Sequence, residues 1–305
     1  MATIATSQNF ADVLNPAIRG VASGAYDLGK SRIADIFTVK DSDRETEIYS
    51  ELTPLGKLSV FTDAITYLDM AQGYDVTATH IEYAGGIQIK RKLYDDDQFG
   101  MIKEFLSGLG KSAFKTQEDD AASILTGAFS VPTSFFSHTE AVALCSNSHT
   151  TTKDGVSTTT GFDNLVTTAL SPTSLSAARL QMKGFKDAAG WKLGLTPNRL
   201  IVPDDLEDKA NEIVNSTLEP WTANNTKNVN EDRFTVYVHP RLTDTNDWFI
   251  EDTALAKDNL YWFWRVKFED AKMESFDNIT AKARCYLRYS FLRRDWRFLL
   301  GAQVS

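Results

Sequence analysis

The chain has 305 residues, with 32 basic against 41 acidic side chains, a formal charge of −9 and a pI near 5.0. Hydrophobic residues make up 42% and charged residues 24%, ordinary globular proportions that exclude a disordered tail, a collagen-like repeat and a coiled-coil rod. The length suits one large domain or two modest ones, and the acid excess argues against a protein that grips nucleic acid, because phosphate binding needs a basic face.

Cys145 and Cys285 lie far apart and form no CxxC pair, so the sequence suggests neither a disulfide framework nor a zinc knuckle and fits a reducing cytoplasm. The N-terminus MATIATSQNFADVLNP lacks a charged and then apolar signal pattern. No run approaches the ~18 apolar residues of a spanning helix. The expectation is a soluble protein without export or membrane contact, in which the sequon Asn278-Ile279-Thr280 carries no weight.

Residues 1 to about 40 are rich in Ala, Gly, Ser and Thr, with scattered apolar positions and glycines at 20, 24 and 29. Such a segment reads as an arm ordered by lying on something else. From Asp41 to about residue 94 the chain makes a long hairpin-like excursion with Pro54, Gly56 and Gly73 near its tip. A short helix is expected in Leu58 to Ala71. The alternation Ile87, Gln88, Ile89, Lys90 marks a half-buried strand. Asp95-Asp96-Asp97 then caps a helix, whose apolar positions Phe99, Ile102, Phe105, Leu106, Leu109, Ala113, Ala121, Ile124, Leu125 and Ala128 keep three-four spacing. A helix from about 97 to 128 would be ~47 Å long, with Gly108 and Gly110 as points of bending.

Residues 130 to 172 are Ser- and Thr-rich and read as a surface flap. A compact α/β pattern follows: Ser174 opens a helix that Gly190 and Gly194 break, Leu200-Ile201-Val202 is a buried strand, and Asp204 caps a second helix. The last third alternates as strands over 234–238, 260–268 and 282–289, with Lys282, Arg284, Tyr286 and Arg288 on one face.

Four constellations carry candidate chemistry. Gly24-Ala25-Tyr26-Asp27-Leu28-Gly29-Lys30-Ser31 matches GxxxxGK[ST], the loop that cradles nucleotide phosphates, but no buried strand precedes it. His138, Glu140, Cys145 and His149 are potential metal ligands without HExxH or CxxC spacing. Glu118-Asp119-Asp120 reads as a solvated helix stretch before a cation site. There is no GxSxG elbow for a serine hydrolase. The stretch holding Lys282, Arg284, Arg288, Arg293, Arg294 and Arg297 is read as pairing with acidic surfaces of a neighbouring subunit in preference to phosphate. The aromatic residues Trp262, Trp264, Tyr286 and Trp296 read as sheet packing.

The order of parts (arm, excursion, long helix, α/β unit, closing strands) resembles the HK97-fold major capsid proteins of tailed bacteriophages. The closest local likeness runs from Ala169-Leu170-Ser171-Pro172-Thr173-Ser174-Leu175-Ser176-Ala177-Ala178-Arg179 to Leu195-Thr196-Pro197-Asn198-Arg199-Leu200-Ile201-Val202-Pro203, with Asp247-Trp248-Phe249-Ile250 beyond it, and is similar to Mu-like major head subunits. The resemblance implies an α+β fold with an N-arm (1–40), an E-loop (41–94), the spine helix of a P-domain (95–130), an A-domain (131–258) and closing strands shared by both (259–305). It implies a non-enzymatic coat protein with no catalytic, cofactor or metal residues. Copies would form pentamers and hexamers of an icosahedral head, assembled in the host cytoplasm and residing in the virion. Its partners would be further copies of itself, a portal protein, a separate scaffolding or decoration protein where one exists, and packaged double-stranded DNA held without specific recognition. The 40-residue arm is too short for a fused scaffold, and deleting it should leave a soluble chain that fails to form shells. The alternatives are an encapsulin-like nanocompartment of the same fold and a P-loop nucleotide hydrolase using Lys30 and Ser31.

Overall fold

The computed structural model describes residues 20–304 except 59, 66, 69, 91, 93–95, 97–99, 220–225 and 276–279. The expected Asp95–Asp97 cap and Phe99 therefore fall wholly or largely outside the described residues, as does the first half of the arm.

The described arm holds α1 (Val21–Asp27) and the single turn α2 (Ile33–Ile36), and continues into β1 (Thr38–Asp41). The excursion is a hairpin of β2 (Thr46–Leu52) and β3 (Gln72–Thr79), and after His80 the chain runs on as β4 (Ile81–Lys90). The long helix α3 spans Met101–Thr126, about 39 Å. Then come β5 (Phe136–His138), β6 (Leu165–Val166), α4 (Pro172–Lys183), β7 (Arg199–Val202), α5 (Glu207–Asn215), β8 (Thr235–Val238), β9 (Trp248–Glu251), α6 (Thr253–Asn259), β10 (Leu260–Ser275), β11 (Thr280–Arg293) and β12 (Leu299–Ala302).

These strands form three sheets. One has the order β1-β10-β11-β4, with β1 parallel to β10 and the other pairs antiparallel. The second is antiparallel, β2-β3-β5. The third runs β6-β12-β9-β7-β8 and mixes parallel and antiparallel pairs. The long β10–β11 hairpin packs against α3 by its odd-numbered side chains, of which Cys285, Leu287 and Tyr289 are buried, while Arg284 on the other face is exposed. At its base Trp262 stacks on Tyr289 (4.6 Å between rings), and Phe291 meets Phe135 (4.3 Å) and Phe37 (5.5 Å). One core thus joins the arm, the hairpin and the segment after α3.

The arm is bound to its own chain. Ala22 and Ala25 bury against α3, and Tyr26 stacks on Phe268 (4.4 Å) and meets the edge of Phe114 (6.0 Å). This crossing requires Gly110, where a β-carbon would collide with the carbonyl oxygen of Ala22, whereas one at Gly108 would meet open space. Ile33, Ile36 and Phe37 are core residues, so removal of residues 1–40 would strip the core. That argues against the expectation that the deletion would leave a soluble chain and harm assembly alone.

Other local expectations also change. The described residues within 58–71 form no helix, since a short isolated helix with nothing to pack on is unstable. Phe105 is half exposed. Helix α4 begins at Pro172 because Ser171 caps it: its hydroxyl accepts from the Ser174 backbone amide, and Ser174 answers to the Ser171 amide. Gly184, not Gly190, follows its last turn. Asp204 opens a 3-10 turn without a side-chain cap. The supposed flap at 130–172 contributes buried Phe135, Phe136, Leu144, Cys145, Phe162 and Leu170. Asn164 makes this possible, since its amide donates to Leu144 O (2.8 Å) and Leu299 O (2.9 Å) and accepts from Ser146 N (2.8 Å). One side chain thereby does the work of a ladder.

The two α3 glycines give opposite expectations. Gly108→Ala should stabilise by about 0.5–1 kcal/mol through helix propensity, while Gly110→Ala should destabilise by about 1–3 kcal/mol through overpacking. Urea denaturation of both variants checks the sign difference.

Candidate assembly surfaces

The middle of α3 is a junction. Successive helical residues point about 100° apart, so a run of polar side chains can reach several elements at once. Gln117 accepts from the Tyr26 hydroxyl of α1. Glu118, buried, accepts from Ser31 Oγ (2.6 Å) and from the Arg32 amide (3.1 Å). Asp119 forms an ion pair with Arg241, just beyond β8. Asp120 accepts from the Tyr289 hydroxyl of β11 (2.5 Å). Burial and the Asp120 carboxylate together push the Tyr289 phenol far above its ordinary range. Only Asp119 fits the expected solvated stretch. Nothing in the local sequence marks the other two, because their partners lie 86 to 169 residues away.

The arm is also clasped to the edge of the third sheet. Arg32 Nη1 donates to Val238 O (2.6 Å), and the Arg32 and Arg199 guanidinium groups both lie over the Tyr237 ring, 5.8 and 5.4 Å from its centre. Arg199 Nη1 donates to Asp35 O (2.8 Å) and sits 3.1 Å from Glu251 Oε2, an ion pair without hydrogen-bond alignment. Burial of Glu251 outweighs the nearby guanidinium and pushes its carboxyl up to about 7.

The enzymatic candidates dissolve. Gly24 lies inside α1, with no strand before it among the described residues. Ser31 Oγ and the Arg32 amide, donors that a phosphate would need, already bind the Glu118 carboxylate, and Lys30 is exposed. His138, Glu140, Cys145 and His149 do not converge, and no three metal-ligating residues cluster among the described residues. Instead His149 Nδ1 meets Glu140 Oε1 (3.1 Å) while its ring stacks on Trp296 (4.2 Å), and burial pushes the Cys145 thiol up. Part of the basic stretch is used within the chain and not between subunits: Arg293 is buried and donates to Val142 O. Arg297 is buried on Asp295 (2.8 Å) and Lys186 O (2.6 Å), and Arg288 lies 3.5 Å from Glu82.

A dense apolar run remains exposed among the described residues. The hairpin closes at Thr53, whose amide and hydroxyl both donate to Ala71 O. Beyond this closure Leu58, Val60, Phe61, Ile65, Tyr67 and Met70 are 62 to 88% exposed. Asp63 at their centre has φ 73°, a left-handed conformation that aspartate tolerates in turns. So dense a run of exposed large apolar side chains on one short segment marks an interaction surface.

Residues 73–301, most of the chain, match the family described as phage capsid protein. The chain belongs to that family. Its fold is that of the HK97-like major capsid proteins, and structural comparison agrees. The chain superposes on a chain from Mycobacterium phage Bobi with a TM-score of 0.54 at 13% identity, covering 100% of this chain and 99% of that one. The bacteriophage PhiM1 mature capsid gives a TM-score of 0.59 at 9% identity, with 91% and 88% covered. The capsid of a native GTA particle gives 0.57 at 11%, with 91% and 92% covered. No curated protein matches the sequence. The major capsid protein therefore carries the α+β fold that its sequence suggested, and the nucleotide-hydrolase alternative is not favoured.

Two predictions test the junction. Glu118→Ala should cost about 2 kcal/mol or more, because it orphans donors that a buried carboxylate satisfied. Asp119→Ala should cost under about 1 kcal/mol, as exposed pairs do. Chemical denaturation of each variant measures the contrast. Glu251 makes stability pH-dependent with a defined sign. Its raised carboxyl pKa favours the folded state below about 4.5, and that contribution fades as pH rises through about 7. Glu251→Gln should therefore gain on the wild type between pH 5 and 8 by about 2–3 kcal/mol, read as the pH dependence of the difference in unfolding free energy.

Proposed function

We propose that this capsid protein acts as a structural, non-catalytic coat, closing an icosahedral head from pentamers and hexamers around double-stranded DNA in the host cytoplasm. A portal protein and, where one exists, a separate scaffold would complete the particle. The observation that carries the reading is the uncovered apolar tip beyond Thr53 and Ala71, a dense run of exposed large apolar side chains among the described residues of a chain that buries its aromatic core well. Large exposed apolar runs gain about 25 cal/mol per Å² when a neighbour covers them, and repeated heterologous contacts close into shells.

The same reading supports a division into N-arm (1–40), E-loop (41–94), spine helix (95–130), A-domain (131–258) and closing strands (259–305). Within the E-loop span, β4 pairs with β11, so the projecting part is the β2–β3 hairpin. The net charge of −9 suits a container that holds DNA without adhesion.

The test is assembly. Phe61→Asp combined with Tyr67→Asp places charges on the tip alone, and should leave the melting temperature within about 2 °C while abolishing shells and capsomer rings in negative-stain microscopy and sedimentation velocity. Normal particles from the double variant would refute the role of the tip.

A further inference from the structure

The root of the β2–β3 hairpin consists of two chain crossings, the outgoing one after β1 at Ser42 and the returning one at His80 between β3 and β4. His80 is the residue at which a strand leaves one sheet and enters another, since β3 pairs with β2 and β5 whereas β4 pairs with β11. Its side chain is buried and touches both sides of the crossing: Nε2 lies 3.2 Å from Ser42 Oγ, and Nδ1 lies 2.9 Å from Ser290 Oγ of β11.

Hydrogen-bond capacity fixes the protons. Ser42 has one hydroxyl hydrogen, and it goes to Glu47 Oε1 at 2.6 Å, while the Arg44 amide also donates to Ser42 Oγ. His80 Nε2 must therefore carry a hydrogen and donate to Ser42. In the neutral ring Nδ1 is then a bare acceptor, and the Ser290 hydroxyl donates to it. A second proton would turn the Ser290 hydroxyl from donor to acceptor and leave its own hydrogen to find another acceptor at a fully buried serine.

The charged groups around the ring favour the neutral state. Arg288 on β11 and Arg265 on β10 repel a cation, as burial does. Glu47 on β2 attracts it, although Ser42 already donates to that carboxylate, and the Arg44 backbone in the connection before β2 also favours the charged ring, but less than burial opposes it. The outcome is a pKa held below the ordinary histidine value, chiefly by burial.

We propose that His80 is a proton-sensitive latch that fixes the β2–β3 hairpin to the β1-β10-β11-β4 sheet when neutral and releases the root of the hairpin when protonated. The consequence is an excursion whose angle to the body of the protein depends on pH, with the released form gaining as pH falls below about 6.5, the value of an unconstrained histidine. The sign follows from linkage: the open form binds the proton more tightly than the closed one, so acid populates it, by up to about tenfold per pH unit until the closed-state pKa is passed. The latch does not depend on the assembly reading, because it is internal to one chain.

Hydrogen–deuterium exchange of the full-length, unassembled chain tests this, with rates corrected for intrinsic pH effects. Amides of β2 and β3 should open more at pH 5 than at pH 7.5 while those of β10 stay protected. His80→Gln, which can donate and accept without charge, should abolish that differential. Ser290→Ala removes the donor to Nδ1 and should shift the midpoint to higher pH, and it serves as the working variant if His80→Gln does not fold. The His80 ring resonance in NMR should titrate with a midpoint below 6.5 that tracks the opening. Equal pH dependence in wild type and His80→Gln, or opening that does not follow the ring titration, would overturn the latch.

Discussion

A buried carboxylate must be saturated with donors or it destabilises the fold that contains it. Glu118 meets this demand by taking one hydroxyl and one amide from the arm, Ser31 and Arg32, so the long helix and the arm cannot be ordered independently. Its neighbours extend the dependence: Gln117 reaches α1, Asp119 the segment after β8, and Asp120 the β10–β11 hairpin. One helical turn is the place where three parts of the capsid protein agree on their positions. Gly110, a little upstream, lets the arm helix come close enough for that agreement.

The periodic elements of the fold were legible because periodicity is local. The long helix α3 and the strands β8, β10 and β11 appear where expected, and the family resemblance supplied the order of parts. What was not legible depended on distant partners. Glu118-Asp119-Asp120 looks solvated as a string of charges, yet only Asp119 behaves so. Residues 130–172 look like a flap because their apolar anchors are single and aperiodic, and Asn164 supplies the bonding that a strand would have given. The formal phosphate loop shows the converse error, for its spacing is local and correct while its donors already hold a carboxylate. At the candidate assembly surface, composition marked the excursion as irregular, but the exposure of Phe61 and Tyr67 depends on no described residue reaching them.

Rigidity and exposure are divided along the hairpin. Its root is tied through Ser42, His80 and Ser290 and its closure through Thr53 and Ala71, while the tip carries apolar groups that stay exposed among the described residues. A tip on a loose tether would lose more orientational entropy on docking. Holding the root reduces that cost, and the single-chain fold keeps its stability without help from the tip.

The arginines complete the electrostatic picture. Arg293 and Arg297 are buried, and Arg32 and Arg199 bridge the arm to the third sheet, where Arg241 also pairs with α3. Cations consumed in this way hold elements of one chain together and are screened from the exterior by their partners. Burial removes Glu118, Glu251 and Asp252 as well as Arg293 and Arg297, so the surface keeps the acid excess of the composition, with Lys30 and Arg284 among the cations still exposed. A neighbour or a nucleic acid approaching this protein meets a surface of net negative charge, which favours apolar contact as the source of cohesion between copies. The hairpin tip offers that contact, and charge contributes to what the surface repels.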